Sequence, residues 1–227
     1  MEKYAEIFEK IGFEISDEKI LREAFTHKSA SNEKKNRPHN ERLEFLGDAV
    51  LELVATDFLF QKFPDAPEGK LTSFRSALVK GDHLAEVAKK LKFGKFLILS
   101  RGEASSGGRK KNYLLANVLE AFIGAIYLHK NFLTARKFIK KFILCDLEKI
   151  LKENAHIDAK SEFQEIAQEK FRITPHYEVL EESGPDHQKN FLVAVFLDKK
   201  KYGTGSGSSK KDGQSAAAAA ALKKIKK

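Results

Sequence analysis

Apolar residues recur every three or four positions through the first two thirds of the chain and crowd into short extended runs in the last third. The pattern predicts a helical domain followed by a smaller mixed one. Ile20, Leu21, Ala24 and Phe25 share one side of an early helix. A second helix opens near Glu41 and continues through Leu51, Leu53, Val54 and Phe58 until Pro64 and Pro67 stop it. A further helix restarts in the stretch Glu68 to Val79, and Gly81-Asp82 marks another boundary, with Asp82 as the expected N-cap. Ser105 to Lys111 reads as a polar, flexible loop. It leads into the most apolar run, Leu114 to Leu128, which falls short of the ~20 residues needed to span a bilayer and reads as a core helix.

The apolar period fades at residues 152–158, so the expected domains are 1–151 and 159–227, joined by that linker. Beyond it, Ser161 to Lys170 reads as an amphipathic helix. Pro175 to Glu182 and Asn190 to Leu197 read as strands, and Lys201 to Gly205 as a third. Asp212 to Ile225, with six consecutive alanines from Ala216 to Ala221, reads as a last helix able to pack closely on a sheet. The expected architecture is an all-α domain followed by a small α+β unit of order α-β-β-β-α.

Polar intrusions interrupt this apolar grammar at two places. Glu41, Glu44 and Asp48 recur at helical spacing among Leu43, Phe45, Leu46 and Val50, which crowds three carboxylates onto one face. Asn117 and Glu120 lie one turn apart in a helix otherwise built of Leu, Val, Ala, Ile and Phe. Like charges so placed resist desolvation unless a cation compensates them. If the two helices pack together, five oxygen-bearing side chains converge and suit a hard divalent cation, Mg²⁺ above all, in a phosphodiester hydrolysis site. The plainer reading, that Glu41 and Glu44 pair with Arg42, Lys34 or Lys35 and Glu120 with a core arginine, stands beside it at this point.

Charge narrows the class of partner. The 227 residues carry a formal charge of +9, and the segment from Lys199 to Lys227 alone holds nine basic residues against the single acid Asp212. That points to a polyanion. One cysteine, Cys145, excludes an internal disulfide and leaves no cluster for zinc. With no apolar export signal after Met1, a cytoplasmic, membrane-free protein is expected. The seven histidines show no zinc-protease spacing, and Thr26-His27 and Asp82-His83 read as structural.

The run Asn40-Glu-Arg-Leu-Glu-Phe-Leu-Gly-Asp-Ala-Val resembles the signature of the ribonuclease III family. The resemblance extends to Ala24-Phe-Thr-His-Lys-Ser, to Glu68 through Val79, and to Leu119-Glu-Ala-Phe-Ile-Gly-Ala-Ile-Tyr-Leu. The C-terminal unit resembles a double-stranded RNA-binding domain, so the arrangement is that of the simple bacterial enzyme. The resemblance implies a Mg²⁺-dependent endoribonuclease, with Mn²⁺ able to substitute, that cuts double-stranded RNA into products with 5′ phosphates and short 3′ overhangs in ribosomal and messenger precursor processing. Glu41, Glu44, Asp48, Asn117 and Glu120 take the catalytic positions, with Glu44 and Glu120 as metal ligands beside Asn117, and Asp48 ligating or orienting water. Asn117 departs from the family's usual Asp, keeping a carbonyl oxygen but losing a charge. An alternative is therefore a duplex-RNA binder in which that change has impaired cleavage. The resemblance also implies a homodimer with Phe45 at its interface, and RNA contacts from Glu68, Lys70, Thr72 and Arg75.

A reader of A-form RNA needs two minor-groove contacts and a cationic bridge between them, over ~16 bp. Gln164 on the first helix, His187 and Lys189 in the loop after Gly184, and Ser209, Lys210 and Lys211 at the last helix's N-terminus supply them. Lys223, Lys224, Lys226 and Lys227 complement a helix C-terminus and need no RNA. A third class, a helical dimerisation module whose basic tail binds any polyanion, predicts no preference for RNA over DNA duplexes.

Overall fold

A computed structural model describes residues 2–33, 38–152, 159–185 and 189–225. The chain divides into two compact units between residues 156 and 157. From residue 153 to 158 the expected linker lies outside the described residues, and Lys152 itself closes a helix.

The first unit is helical: α1 Ala5–Ile11, α2 Glu18–Ala24, α3 Lys28–Glu33, α4 Glu41–Lys62, α5 Glu68–Leu78, α6 Gly81–Lys90, α7 Arg101–Ser105, α8 Asn112–His129, α9 Phe132–Phe142 and α10 Leu147–Lys152. Helix α8 is its axis, burying Leu114, Leu115, Val118, Leu119, Phe122, Ile123 and Ile126, which removes apolar surface from water on nearly every side. Around Phe122 the rings of Phe25, Phe93 and Phe138 pack edge-on or tilted at 4.9–5.9 Å. Helix α4 crosses α8 with Leu43, Gly47, Val50, Leu51 and Val54 turned inward. On its outer side Phe45, Leu53 and Phe60 are 81%, 58% and 70% exposed, an apolar stripe too large to be incidental.

Asp82 and the Ser105–Lys111 segment differ from the sequence reading. Asp82 does not cap α6, which begins at Gly81 after Lys80 with no side-chain cap; Asp82 instead accepts from the Asn112 amide at 3.3 Å. The Ser105–Lys111 segment is pinned rather than flexible. The Arg109 guanidinium donates to the carbonyls of Gly94, Lys95 and Leu97 at 3.0, 3.4 and 2.7 Å.

The second unit runs α11 Ala159–Phe171, β1 His176–Ser183, β2 Asn190–Leu197, β3 Lys200–Gly207 and α12 Lys210–Ile225. Its strands form an antiparallel sheet in the order β1-β2-β3, with Phe163, Val195, Leu197, Ala217, Ala218 and Ala221 in the core. Gly205-Ser-Gly-Ser lies largely inside β3. Its glycines serve close packing: a Cβ on Gly203 would stand 2.5 Å from the Ala217 carbonyl oxygen, and one on Gly205 would strike the Ala216–Ala217 backbone. The alanine run of α12 thus lies flat on the sheet.

Candidate active site and nucleic-acid interface

The two acidic helices meet where neither carries a side chain. A Cβ on Gly47 would overlap the Glu120 carbonyl oxygen and stand 2.8 Å from the Gly124 nitrogen, and one on Gly124 would strike the Leu43 carbonyl. Only glycine permits so close a crossing. It sets Glu44 and Asp48 against Asn117 and Glu120.

The electrostatics record this proximity. Burial, then the charges of Asp48 and Glu44, push the Glu120 carboxyl up to about 8. Burial raises Glu44 as well, with Glu41 and Asp48 adding to the effect, while the Asn117 amide opposes it by hydrogen-bonding to the carboxylate. Among the described residues no cation pairs with Glu120, so the core arginine of the plainer reading is absent. Glu44, Asn117 and Glu120 are half-buried and Asp48 is exposed, which makes the site an open-sided cleft rather than a closed pocket.

Glu41 behaves differently. It pairs with Lys28 at 3.0 Å and lies 3.7 Å from His39 Nδ1, a pairing across a loop instead of the one expected with Arg42; Lys34 and Lys35 fall outside the described residues. Glu41 remains near enough to raise Glu44.

No three His, Cys, Asp or Glu side chains among the described residues are gathered tightly enough to hold an ion by themselves. The donor chemistry nevertheless fits a hard divalent cation. Three carboxylates and an amide side chain meet there, and Glu120 is desolvated with the charges of Asp48 and Glu44 near it. A divalent ion would reverse the sign of that environment.

Of the other residues singled out by sequence, Glu68 accepts from Thr72 at 2.9 Å, and Arg75 binds Glu52 at 2.9 Å and Thr56 at 3.0 Å. These contacts tie α5 to itself and to α4. His83 bridges the Leu78 carbonyl and Asp146 at 2.7 and 3.2 Å, a structural staple.

In the second unit Gln164 is exposed on α11. Lys189 pairs with Glu182 at 2.9 Å, and His187 lies outside the described residues. Lys210 and Lys211 are exposed in the first turn of α12, which begins two residues earlier than the sequence reading placed it. Ser209 is the cap of that helix: its hydroxyl accepts from Asp212 N at 3.1 Å and donates to the Asp212 carboxylate at 2.8 Å. The sequence reading missed Gly47 and Gly124, whose signal was a glycine in the interior of each helix, where it costs about 1 kcal/mol relative to alanine.

An acid-lined helical cleft followed by an α-β-β-β-α unit with an exposed basic helix start defines a nuclease that handles duplex RNA. Residues 17–147 match the family model described as Ribonuclease-III-like, and residues 159–225 match the Double-stranded RNA binding motif. Proteins named Ribonuclease 3 from Bacillus cereus and Bacillus anthracis are 45% identical over 230 residues, covering 99% of this chain and 94% of theirs. The nuclease domain of ribonuclease III from Campylobacter jejuni aligns with a TM-score of 0.59 at 39% identity, covering 64% of this chain and 97% of that one. A second structure of that domain, described as flexible in a region involved in dimer formation, gives 0.58 at 40% identity, covering 62% and 95%. The chain belongs to the ribonuclease III family and is an endoribonuclease of double-stranded RNA. The family depends on divalent metal. Nothing in these comparisons supports a binder with impaired cleavage. No helix among the described residues is long and apolar enough to cross a membrane.

Proposed function

We propose that the cleft between α4 and α8 is the catalytic centre, that its ion is Mg²⁺, and that Glu44, Asn117, Glu120 and Asp48 hold it. The observation that carries this reading is the Glu120 carboxyl, desolvated and surrounded by anions at a crossing that two glycines make possible. Bound Mg²⁺ supplies Lewis-acid stabilisation of charge on the reacting phosphodiester. Glu44 and Glu120 ligate directly; Asp48, more exposed, ligates or orients the attacking water. Asn117 contributes its amide oxygen by turning away from Glu44. Glu41 acts from the rim of the cleft.

Two copies of the chain assemble through the stripe of Phe45, Leu53 and Phe60, Phe45 entering a pocket on the second copy, so that each centre cuts one strand. The products carry 5′ phosphates and short 3′ overhangs. Gln164, His187 and Lys189, with Lys210 and Lys211 at the start of α12, read the duplex by shape, and the cellular role is processing of structured ribosomal and messenger precursors in the cytoplasm. Ser209 serves this surface by capping the helix that presents the two lysines.

The test incubates a long RNA duplex with the protein and Mg²⁺ and resolves the products on a denaturing gel, with Glu120→Gln and Asn117→Asp alongside. We expect the unaltered protein to cut and Glu120→Gln to bind without cutting. Cleavage by Asn117→Asp alone, or loss of binding in Glu120→Gln, would overturn the assignment.

A further inference from the structure

Glu41 stands apart from the other acids because Lys28 pairs with it and His39 lies beside it. Lys28 Nζ lies 3.0 and 3.3 Å from its two carboxylate oxygens. His39 Nδ1, itself buried, makes no hydrogen bond and lies 3.7 Å from the nearer oxygen. The two basic residues come from opposite sides of a loop, yet the backbone fixes them together: Asn40 N donates to Thr26 O at 2.9 Å, and His27 N to Ile98 O at 3.0 Å. Among the described residues nearby, Lys111 is committed to Glu103 at 2.7 Å and the His27 ring to Ser29 at 2.9 Å.

We propose that Lys28 and His39 form a subsite for an RNA backbone phosphate, which the Glu41 carboxylate fills in the RNA-free protein and yields to the duplex. A carboxylate paired with an ammonium and lying beside an imidazole nitrogen presents two oxygens where a phosphodiester would present its two. The exchange costs little. Lys28 and Glu41 are 55% and 47% exposed, and such an ion pair contributes about 0–1 kcal/mol. The His39 nitrogen gains the partner it lacks. Glu41 and Glu44 are one helical turn apart on α4, about 5 Å along its axis, so the phosphate would lie beside the one that is cut. Lys28 is thereby a positioning residue, and this role rests on the reading of the α4–α8 cleft as the catalytic centre.

Binding of a duplex RNA to the full chain is measured by fluorescence anisotropy in EDTA, where nothing is cut, across a range of salt. Neutralising one phosphate contributes about 0.9 to the slope of log affinity against log salt. We expect Lys28→Gln to lower that slope by about 0.9 and to weaken binding about fivefold at moderate salt, Lys28→Arg to preserve both, and Glu41→Gln to tighten binding. An unchanged slope in Lys28→Gln, or weaker binding in Glu41→Gln, overturns the subsite. Cleavage surviving in Glu120→Gln would instead overturn the catalytic reading and leave the slope result standing.

Discussion

Removing the Glu120 charge should make the metal-free protein more stable at alkaline pH, a direction opposite to the usual effect of altering a half-buried residue. The carboxyl titrates at about 8 in the fold against an ordinary value of 4.5. Between those values the native state keeps a proton that the unfolded chain releases, so stability falls as pH rises through the window. Each tenfold is about 1.4 kcal/mol, so the difference between those values corresponds to on the order of 5 kcal/mol before solvent screening. Glu120 is half-buried, and solvent screening reduces this to about 2 kcal/mol. Glu44, also raised, contributes with the same sign. Urea unfolding in EDTA at pH 5 and pH 8 should show Glu120→Gln close to the unaltered protein at pH 5 and about 2 kcal/mol more stable at pH 8. Adding Mg²⁺ at pH 8 should then stabilise the unaltered protein and leave the variant nearly unchanged. Equal pH dependence of the two proteins in EDTA would refute the reasoning, because the acid would then be solvated like any other.

Gly47→Ala forces a methyl into the Glu120 carbonyl; it should cost about 3 kcal/mol or more by thermal unfolding and weaken Mn²⁺ binding seen by electron paramagnetic resonance, since the helices must part. Gly205→Val should unfold the second unit preferentially, abolishing duplex-RNA binding while the first unit keeps its own unfolding transition. Phe45→Glu, at an 81% exposed position, should leave far-ultraviolet circular dichroism unchanged and yield a monomer in analytical ultracentrifugation. A dimer surviving that change would put the interface elsewhere.

The acids were legible because helical spacing is a local property, and a carboxylate repeated inside an apolar run announces itself without any knowledge of the partner helix. What the charges do was not legible. Glu41 finds Lys28 across a loop and not its neighbour Arg42, a choice made by backbone hydrogen bonds at Thr26 and Asn40 that no side-chain pattern encodes. The loop at Ser105–Lys111 looked mobile by composition. It is held by Arg109 through three backbone carbonyls, and any sequence offers carbonyls, so the acceptors leave no trace. In the second unit the alternation of Gly203, Gly205 and Gly207 was a readable period of two. It marks the strand face on which the alanine helix rests.

The same device therefore builds both halves of the proposed function. Where backbone meets backbone across a missing Cβ, two elements approach more closely than any side chain would allow, and their relative position is set by hard contact rather than by adaptable packing. At Gly47 and Gly124 this fixes Glu120 against Glu44 and Asp48 and desolvates it, creating the excess negative charge that a cation must relieve. At Gly203 and Gly205 it fixes α12 on its sheet, which determines where Lys210 and Lys211 stand on the surface of that unit. None of these glycines has chemistry of its own. Their substitution should nonetheless impair function as surely as loss of an acid or a lysine, because the charges would remain present but lose the positions from which they act.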